Sequence, residues 1–465
     1  MRKPQGKKQH QVPPDVRPQL MRALELDTAG KTAEAEELYR AVLKADPHNF
    51  AALNRRAVLC ALRGELVEAL RLIQAAVRAN PKAGGTASDM GFILEQLGRL
   101  DEAKVVYERA LALRPDQAVP HNGRGVALCA EGRYAEAIAA FTRAIEIDPG
   151  FAIARLHRAL AYLVTGRFAE GWDDYEWRWT AYDAGRPDLP IPDWNGEPLA
   201  GKAIYLFTEQ GFGDAIMFAR YAPLVAARGA TVLFCVRPPV KALLSNMQGV
   251  VVGVPGDAGP RCDYMCALVS LPRVFKTGLD SIPANVPYIH PLPERLAKWQ
   301  GRIPQDDRLK VGLVWAGGRE FKGDRNRTIA FRQLEPLLGD PRICYVSLHT
   351  ELREEDAPLM AAHPDIIHFG SELQDFADTA AVIAQLDLVV SVDTAVAHLA
   401  GAMAKPVWLL LPFNPDFRWL LGRDDSPWYP TARLFRQPTP GDWRSVIARV
   451  REALAAQAQS RSSGA

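Results

Sequence analysis

The stretch Gly98-Arg-Leu-Asp-Glu102-Ala103-Lys-Val-Val-Tyr107-Glu-Arg-Ala-Leu-Ala-Leu-Arg-Pro115-Asp116 decides the fold of the first third of this chain. Moved on by 34 residues, the same frame reads Gly132, Glu136-Ala137, Phe141 and Pro149; moved back, it reads Gly64, Glu68-Ala69, Ile73 and Pro81. In full, Gly30, Gly64, Gly98, Gly132 and Gly166 stand 34 residues apart, as do Glu34, Glu68, Glu102, Glu136 and Glu170, and Pro47, Pro81, Pro115 and Pro149. A 34-residue period is the signature of a solenoid of helix–turn–helix units. Such arrays mainly hold other polypeptides, so a protein partner is expected.

Each unit explains its own turn. A small residue sits seven before the glycine (Ala23, Ala57, Gly91, Gly125, Ala159), which lets paired helices approach closely. The glycine makes the turn, because it reaches left-handed dihedrals without steric cost. The second helix then sets a large apolar residue four after its Glu-Ala alanine: Tyr39, Ile73, Tyr107, Phe141, with Tyr175 in the fifth unit. Proline closes the first four units, since the residue before it does not readily continue a helix. The pattern resembles the tetratricopeptide repeat. The fifth unit departs from it, with Gly171 for alanine, Asp183 for the closing proline, and Trp172, Trp177 and Trp179 within eight residues. Terminal repeats are usually atypical caps; three tryptophans suggest a seam packed onto the next domain. In the resembled family the first helix of each unit lines the concave face. There Asn54, Ser88 and Asn122 share a column and are expected either to form a polar ladder for a peptide backbone or to be a solvated face.

The 465 residues exceed one ordinary domain. A hydrophobic fraction of 48% and a charged fraction of 24% are those of a soluble globular protein. A net charge of +2 gives no bulk electrostatic case for nucleic acid. The start, MRKPQGKKQHQVPP, is basic and lacks an apolar core, so it reads as a disordered arm and not a signal peptide. No run of 18 apolar residues suggests a membrane span. Cys60, Cys129, Cys235, Cys262, Cys266 and Cys344 lack zinc-site spacing, so buried free thiols in a reducing cytoplasm are expected.

The expected divisions are a disordered arm over 1–15, the solenoid over 16–182, a Pro/Gly linker over 183–201, an α/β half over 202–290, a linker over 291–308, a second α/β half over 309–458 and a disordered tail over 459–465. Expected strands are Ala203–Thr208, Thr231–Val236 and Val250–Val254 in the first half. In the second they are Lys310–Trp315, Ile343–Leu348, Ile366–Phe369, Leu388–Val392 and Val407–Leu411. Expected helices are Asp214–Arg228, Pro238–Met247, Phe331–Leu338, Asp375–Gln385, Ala395–Met403 and Asp442–Ala455. Fully apolar strands alternating with helices indicate parallel sheets buried on both faces. Two such halves face a cleft, with ligand groups at strand carboxyl ends. The fold class is thus an α-solenoid followed by two Rossmann-like α/β domains.

Three constellations stand at those strand ends. Glu209-Gln210-Gly211-Phe212-Gly213-Asp214 follows the first strand. It is no dinucleotide fingerprint, since Ile216 occupies the third glycine's place and Val236-Arg237 replaces the acid after the second strand; no Walker Gly-Lys-Ser/Thr is present. Asp393-Thr394-Ala395-Val396-Ala397-His398 opens a helix whose bare amides favour an anion, most naturally a diphosphate. There Thr394 is expected to cap the helix and donate its hydroxyl, Asp393 to accept from a sugar hydroxyl, and His398 either to reach the ligand or to be a core histidine. The loop Ala316–Thr328 carries four cations, Arg319, Lys322, Arg325 and Arg327, and suits a phosphate leaving group, with a solvated loop as the alternative.

These segments resemble the heptosyltransferase-type glycosyltransferases of the GT-B kind, family 9. The layout, repeats before two Rossmann-like halves, is similar to protein O-GlcNAc transferases and bacterial flagellin glycosyltransferases. The resemblance implies Asp214 as the catalytic base. It implies phosphate contacts from Lys322, Arg325 and Arg327, and donor contacts from Gln210, Gly211, Gly213, Asp393, Thr394, Ala395, Val396 and His398. Two departures are the short first half and Ala395 in place of the usual glycine. No Asp-x-Asp occurs, so the expected mechanism uses protein cations and a helix dipole in place of a metal, with no cofactor beyond the nucleotide-sugar donor. The expected acceptor is a serine or threonine hydroxyl of a protein held by the solenoid, in the cytoplasm. The alternatives are a transferase acting on a polysaccharide or lipid-linked acceptor, and an adaptor whose transferase half has decayed.

Overall fold

Ten helices realise the repeat: Arg17–Thr28, Thr32–Ala45, Phe50–Leu62, Leu66–Ala79, Gly84–Gln96, Leu100–Leu113, Ala118–Ala130, Tyr134–Ile147, Ala152–Val164 and Phe168–Tyr175. The computed structural model describes residues 15–182, 185–257, 259, 261–319 and 323–464. The basic arm and Lys322 therefore lie outside the described residues. All five repeat glycines adopt φ between +74° and +81°, the left-handed turn that their spacing requires. The expected close approach is also present. A Cβ on Gly91 would lie 2.5 Å from the buried Tyr107 ring, and one on Gly125 would collide with Phe141.

A contrast between two glycines of one helix tests this packing. Alanine at an unhindered helical site gains about 0.5–1 kcal/mol over glycine. Gly85→Ala, whose Cβ meets nothing nearer than 4.0 Å, is expected to raise the thermal midpoint. Gly91→Ala is expected to lower it, because overpacking costs about 1–3 kcal/mol. Equal shifts in the two melting curves would contradict the account.

The chain divides into two bodies, the first ending at Arg158 and the second beginning at Ala159. In the first body, the expected peptide ladder is used between repeats. The Asn54 amide donates to Asp89 at 3.2 Å, and the Asn122 amide oxygen pairs with His157 Nδ1 at 2.9 Å. Ser88 and Asn122 are buried. Neighbouring repeats thus engage the Asn54 amide nitrogen and the Asn122 amide oxygen, while Asn54 Oδ1 is buried with no partner among the described residues. His157 itself is pushed down to about 4 by burial and is neutral at pH 7.

The second body holds two parallel sheets. Strands β1 (Ala203–Phe207), β2 (Thr231–Cys235), β3 (Val250–Gly253) and β4 (Tyr264–Ala267) lie in the order β3-β2-β1-β4. Strands β5 (Leu309–Val314), β6 (Ile343–Ser347), β7 (Ile367–His368), β8 (Leu388–Val392), β9 (Val407–Leu411) and β10 (Ala432–Arg436) lie in the order β10-β9-β8-β5-β6-β7. Every pairing between named strands is parallel. In each sheet the strand order reverses beside the half's first strand, β1 or β5. Those are the switch points at which open α/β sheets bind ligands.

Several expectations change. The linker expected over 291–308 carries a helix, Pro293–Trp299, and the helix expected over Phe331–Leu338 gives way to a 3₁₀ turn at Glu335–Leu337. The helix expected over Asp214–Arg228 is broken into Phe212–Phe218, a 3₁₀ turn Ala219–Tyr221 and Ala222–Ala226. Pro223, lacking an N–H, starts a new helix there. The tail expected over 459–465 instead extends the last helix, Trp443–Gly464, anchored by Arg461 on Asp387 at 2.8 Å and on the Asp307 carbonyl.

The second helix of the fifth repeat unit, with its tryptophans, belongs to this second body. The Trp172 indole donates to the Thr277 carbonyl at 3.1 Å, and its ring meets Phe417 and Phe218 edge-on. Trp179 packs on Phe207 at the end of β1. The two halves are also locked to each other. Buried Arg220 of the first half donates to the carbonyls of Pro283 and Trp428 and to the Tyr288 hydroxyl.

Candidate active site

The first sheet presents Glu209–Asp214 beyond β1. Asp214 sits in the first turn of the Phe212–Phe218 helix, where one carboxylate oxygen accepts from the Gly211 N–H at 2.9 Å. Gln210 is half-buried, its amide donating to the buried Tyr175 hydroxyl at 2.8 Å. Gly213 serves a close approach: a Cβ there would lie 2.9 Å from the His398 ring across the gap between the halves. Gly211 and Gly213 therefore shape the junction, and the Gly211 amide already has a carboxylate partner.

The second sheet presents two loops at its switch point. Beyond β8, Asp393 precedes the Ala395–Ala402 helix. Thr394 takes the N-cap position, but its hydroxyl pairs with Ser391 Oγ at 3.0 Å and makes no capping bond. Ala395 and Val396 open the helix, where backbone N–H groups lack intrahelical partners. His398 is a core histidine. It is buried, stacked on Trp419, and bound through Nδ1 to the Tyr429 hydroxyl at 3.0 Å. Burial holds it well below the usual imidazole range, so it is neutral.

Beyond β5 the basic loop divides by function. Arg327 donates to the Asp393 carbonyl at 2.6 Å and to Asp324 at 3.2 Å. Arg353 also clamps Asp324, and the Gly317 carbonyl at 3.2 Å. A side chain on Gly317 would run into Arg327. Arg327 thus fastens the loop to the Asp393 segment. Arg325 is exposed, so among the described loop cations it and Arg319 face solvent, Arg319 already pairing with Glu355.

Arg418 joins the two halves chemically, and sequence reading missed it. It follows β9 in the run Asn414-Pro-Asp416-Phe-Arg418-Trp419, which reads as a proline-broken loop. The strand-end rule that drew attention to Asp393 applies equally here. Its guanidinium bonds Asp214 directly, and Asp416 at 2.6 Å. Its side chain is 9% exposed, and its Nε–H has no partner among the described residues. Burial raises Asp214 from its ordinary value, although Arg418 pulls the other way. Burial pushes Asp393 to about 6, with Asp416 adding repulsion and Arg418 and Arg327 opposing it. Asp214 and Asp393 keep 17% and 16% of their side chains accessible. Both can therefore be reached from solvent. A separate cavity of about 110 Å³ lies behind β1 and β4, between Trp179, Trp194, Glu176 and Ser270.

Residues 20–84, 83–150 and 132–176 match tetratricopeptide repeat families. Residues 373–410 match glycosyltransferase family 9 (heptosyltransferase), and that segment contains Asp393 and the helix after it. The chain thus joins a stretch that matches tetratricopeptide repeats to a short segment that matches family 9. Among curated proteins it is similar to Protein FlbA of Caulobacter vibrioides (strain ATCC 19089 / CIP 103742 / CB 15). The two are 29% identical over 314 residues, covering 61% of this chain and 52% of FlbA. The chain thus spans about half the length of that relative. Solved structures similar to the repeats include MamA, with 24% identity, 34% of this chain and 92% of that chain covered, and a TM-score of 0.30. They also include YrrB, titled a TPR protein with an unusual peptide-binding site, with 22% identity, 35% and 84% covered, and a TM-score of 0.30. No helix among the described residues is long and apolar enough to cross a membrane. The six cysteines are free, four of them buried and Cys129 and Cys262 half-buried.

Proposed function

We propose that this chain transfers a sugar from a nucleoside-diphosphate donor to a serine or threonine hydroxyl of a protein held by its repeats, with its own cations in place of a metal. One observation carries the reading. The family 9 segment and the basic loop flank one switch point, β8 beside β5, and Arg418 ties that side to Asp214 of the other half.

Charge decides where each part of the donor goes. Asp214, Asp393 and Asp416 surround a single guanidinium. Each ionised carboxylate would repel a phosphate charge about 5 Å away by roughly 3 kcal/mol at an effective dielectric of about 20. The diphosphate is therefore assigned to the exposed Arg325 and the backbone amides that open the Ala395–Ala402 helix, away from the carboxylate oxygens. The carboxylates are left to hydroxyl groups, which they accept from. In the transfer the acceptor oxygen bonds the anomeric carbon and the bond to the diphosphate breaks. The electron pair leaves with the phosphate, and the acceptor proton passes to Asp214. Burial supports that role, because it offsets the acidity that a helix start confers on a carboxylate. A second reading gives the proton to Asp393, which burial pushes up to about 6.

Titration calorimetry with UDP, GDP, ADP, dTDP and CMP sugars tests the donor half of the proposal. Arg325→Ala is expected to raise the donor Kd by about ten- to a hundredfold, since a charge-assisted bond to phosphate is worth about 1.5–3 kcal/mol. An unchanged Kd would remove the basic loop from the site. Absence of binding and of donor hydrolysis across the whole panel would leave an adaptor. Mass spectrometry of candidate acceptor proteins, from cells with and without this chain, tests the acceptor half.

A further inference from the structure

We propose that Tyr175 and Arg178, which end the fifth repeat unit, are positioning residues of the transfer site that hold the Glu209–Asp214 loop in its working shape. Both are buried. Tyr175 accepts from Gln210, the residue before Gly211, whose amide donates to the Asp214 carboxylate. Arg178 donates to Glu209 at 3.0 Å, to Ser270 beyond β4 at 2.7 Å and to Glu176 at 2.7 Å. The same repeat element also reaches the opposite wall. The rings of Tyr175 and Trp172 pack on Phe417, the residue before Arg418. One element of the array thus touches the loops that carry Asp214 and Arg418.

Packing alone does not account for this chemistry. Phe168 and Trp172 already supply the apolar seam. The Glu209 side chain has no exposed surface, its Oε2 and the Arg178 Nε lack partners among the described residues, and burial pushes Glu209 up to about 7. A buried ion pair of this kind is a poor source of stability, because desolvation of both charges offsets their attraction, and an apolar pair of the same volume is often as stable. What the pair does supply is direction. It admits one arrangement of Glu209, and Gln210 and Gly211 follow it in the chain. The kinetic consequence rests on the transferase reading; the structural consequence does not.

The experiment uses the full chain with three variants: Tyr175→Phe, Arg178→Met, and Arg178→Met combined with Glu209→Gln. Arg186→Met, at an exposed pair with Asp193, is the control. Two quantities are read: hydrogen exchange of the peptide covering 209–214, and turnover of the UDP, GDP, ADP, dTDP and CMP sugar panel. Tyr175→Phe is expected to speed exchange in that peptide about fivefold, the size of one lost hydrogen bond, with exchange over 388–400 unchanged. It is expected to lower kcat by a similar factor while the donor Kd moves less than about twofold. Arg178→Met is expected to exceed both effects, and adding Glu209→Gln to restore part of the loss by removing the unpaired charge. Unchanged exchange over 209–214 in both single variants overturns the proposal. So does acceleration spread evenly over the second body, which is the mark of a merely structural role. If the unaltered chain turns over no donor, the transferase reading falls, and the exchange result still decides whether the repeat holds the loop.

Discussion

Arg418→Met is expected to lower stability at pH 7 by about 3–5 kcal/mol and to abolish transfer, because it strands carboxylates that share one buried cation. The deficit should depend on pH in a defined direction. Burial holds Asp393 near 6 and raises Asp214, so both bind protons more tightly folded than unfolded. Their titration favours the folded chain below about pH 4, and that benefit is lost as the pH rises through 6. Without the guanidinium both groups titrate higher still. The gap between variant and unaltered chain is therefore expected to be small near pH 4.5 and large at pH 7.5 in denaturant titrations. A gap independent of pH would mean that Arg418 acts by packing, through its contact with the Phe417 ring, and not by charge.

The second large effect separates the two acids. Asp214→Asn is expected to cut kcat by about 10²–10⁴, the usual range for a lost general base, with donor Kd within about threefold. Asn keeps an oxygen for the Gly211 amide, so the loop should hold its shape. Asp393→Asn is expected to raise donor KM chiefly, as a lost contact to a sugar hydroxyl would. The rate profiles against pH decide between the assignments. Should the acid limb lie near 6 and vanish in Asp393→Asn while Asp214→Asn retains it, Asp393 is the base and Asp214 the partner that orients Arg418.

The repeats were legible because one backbone requirement, a left-handed turn, recurs at a fixed interval and selects glycine each time. The apolar strands were legible because parallel strands are buried on both faces. The two that escaped were edge strands of another character. Tyr264–Ala267 is four residues long, and Ala432–Arg436 carries Arg433 and Arg436 among its apolar residues, as an edge strand permits. At the site, motif position revealed Asp214, Asp393 and the basic loop. It could not reveal what each side chain touches. Arg327 reads as a phosphate ligand until its bonds to Asp393 and Asp324 are seen, and Thr394 as a cap until Ser391 takes its hydroxyl. Arg418 and Arg178 went unnoticed for the opposite reason. Their partners lie 204 and 31 residues away in sequence, and only folding reveals such pairs.

The break between the two bodies at Arg158 has a consequence for how such a chain can change over generations. Units in a stacked array interact mainly with their neighbours. Insertion or loss of whole 34-residue modules upstream of that point alters reach alone. The fifth unit has no such freedom, since its aromatic and charged side chains are tenants of the α/β halves. Under the proposed function, diversity of guest proteins can thus accumulate at one end while the transfer chemistry at the other is inherited intact.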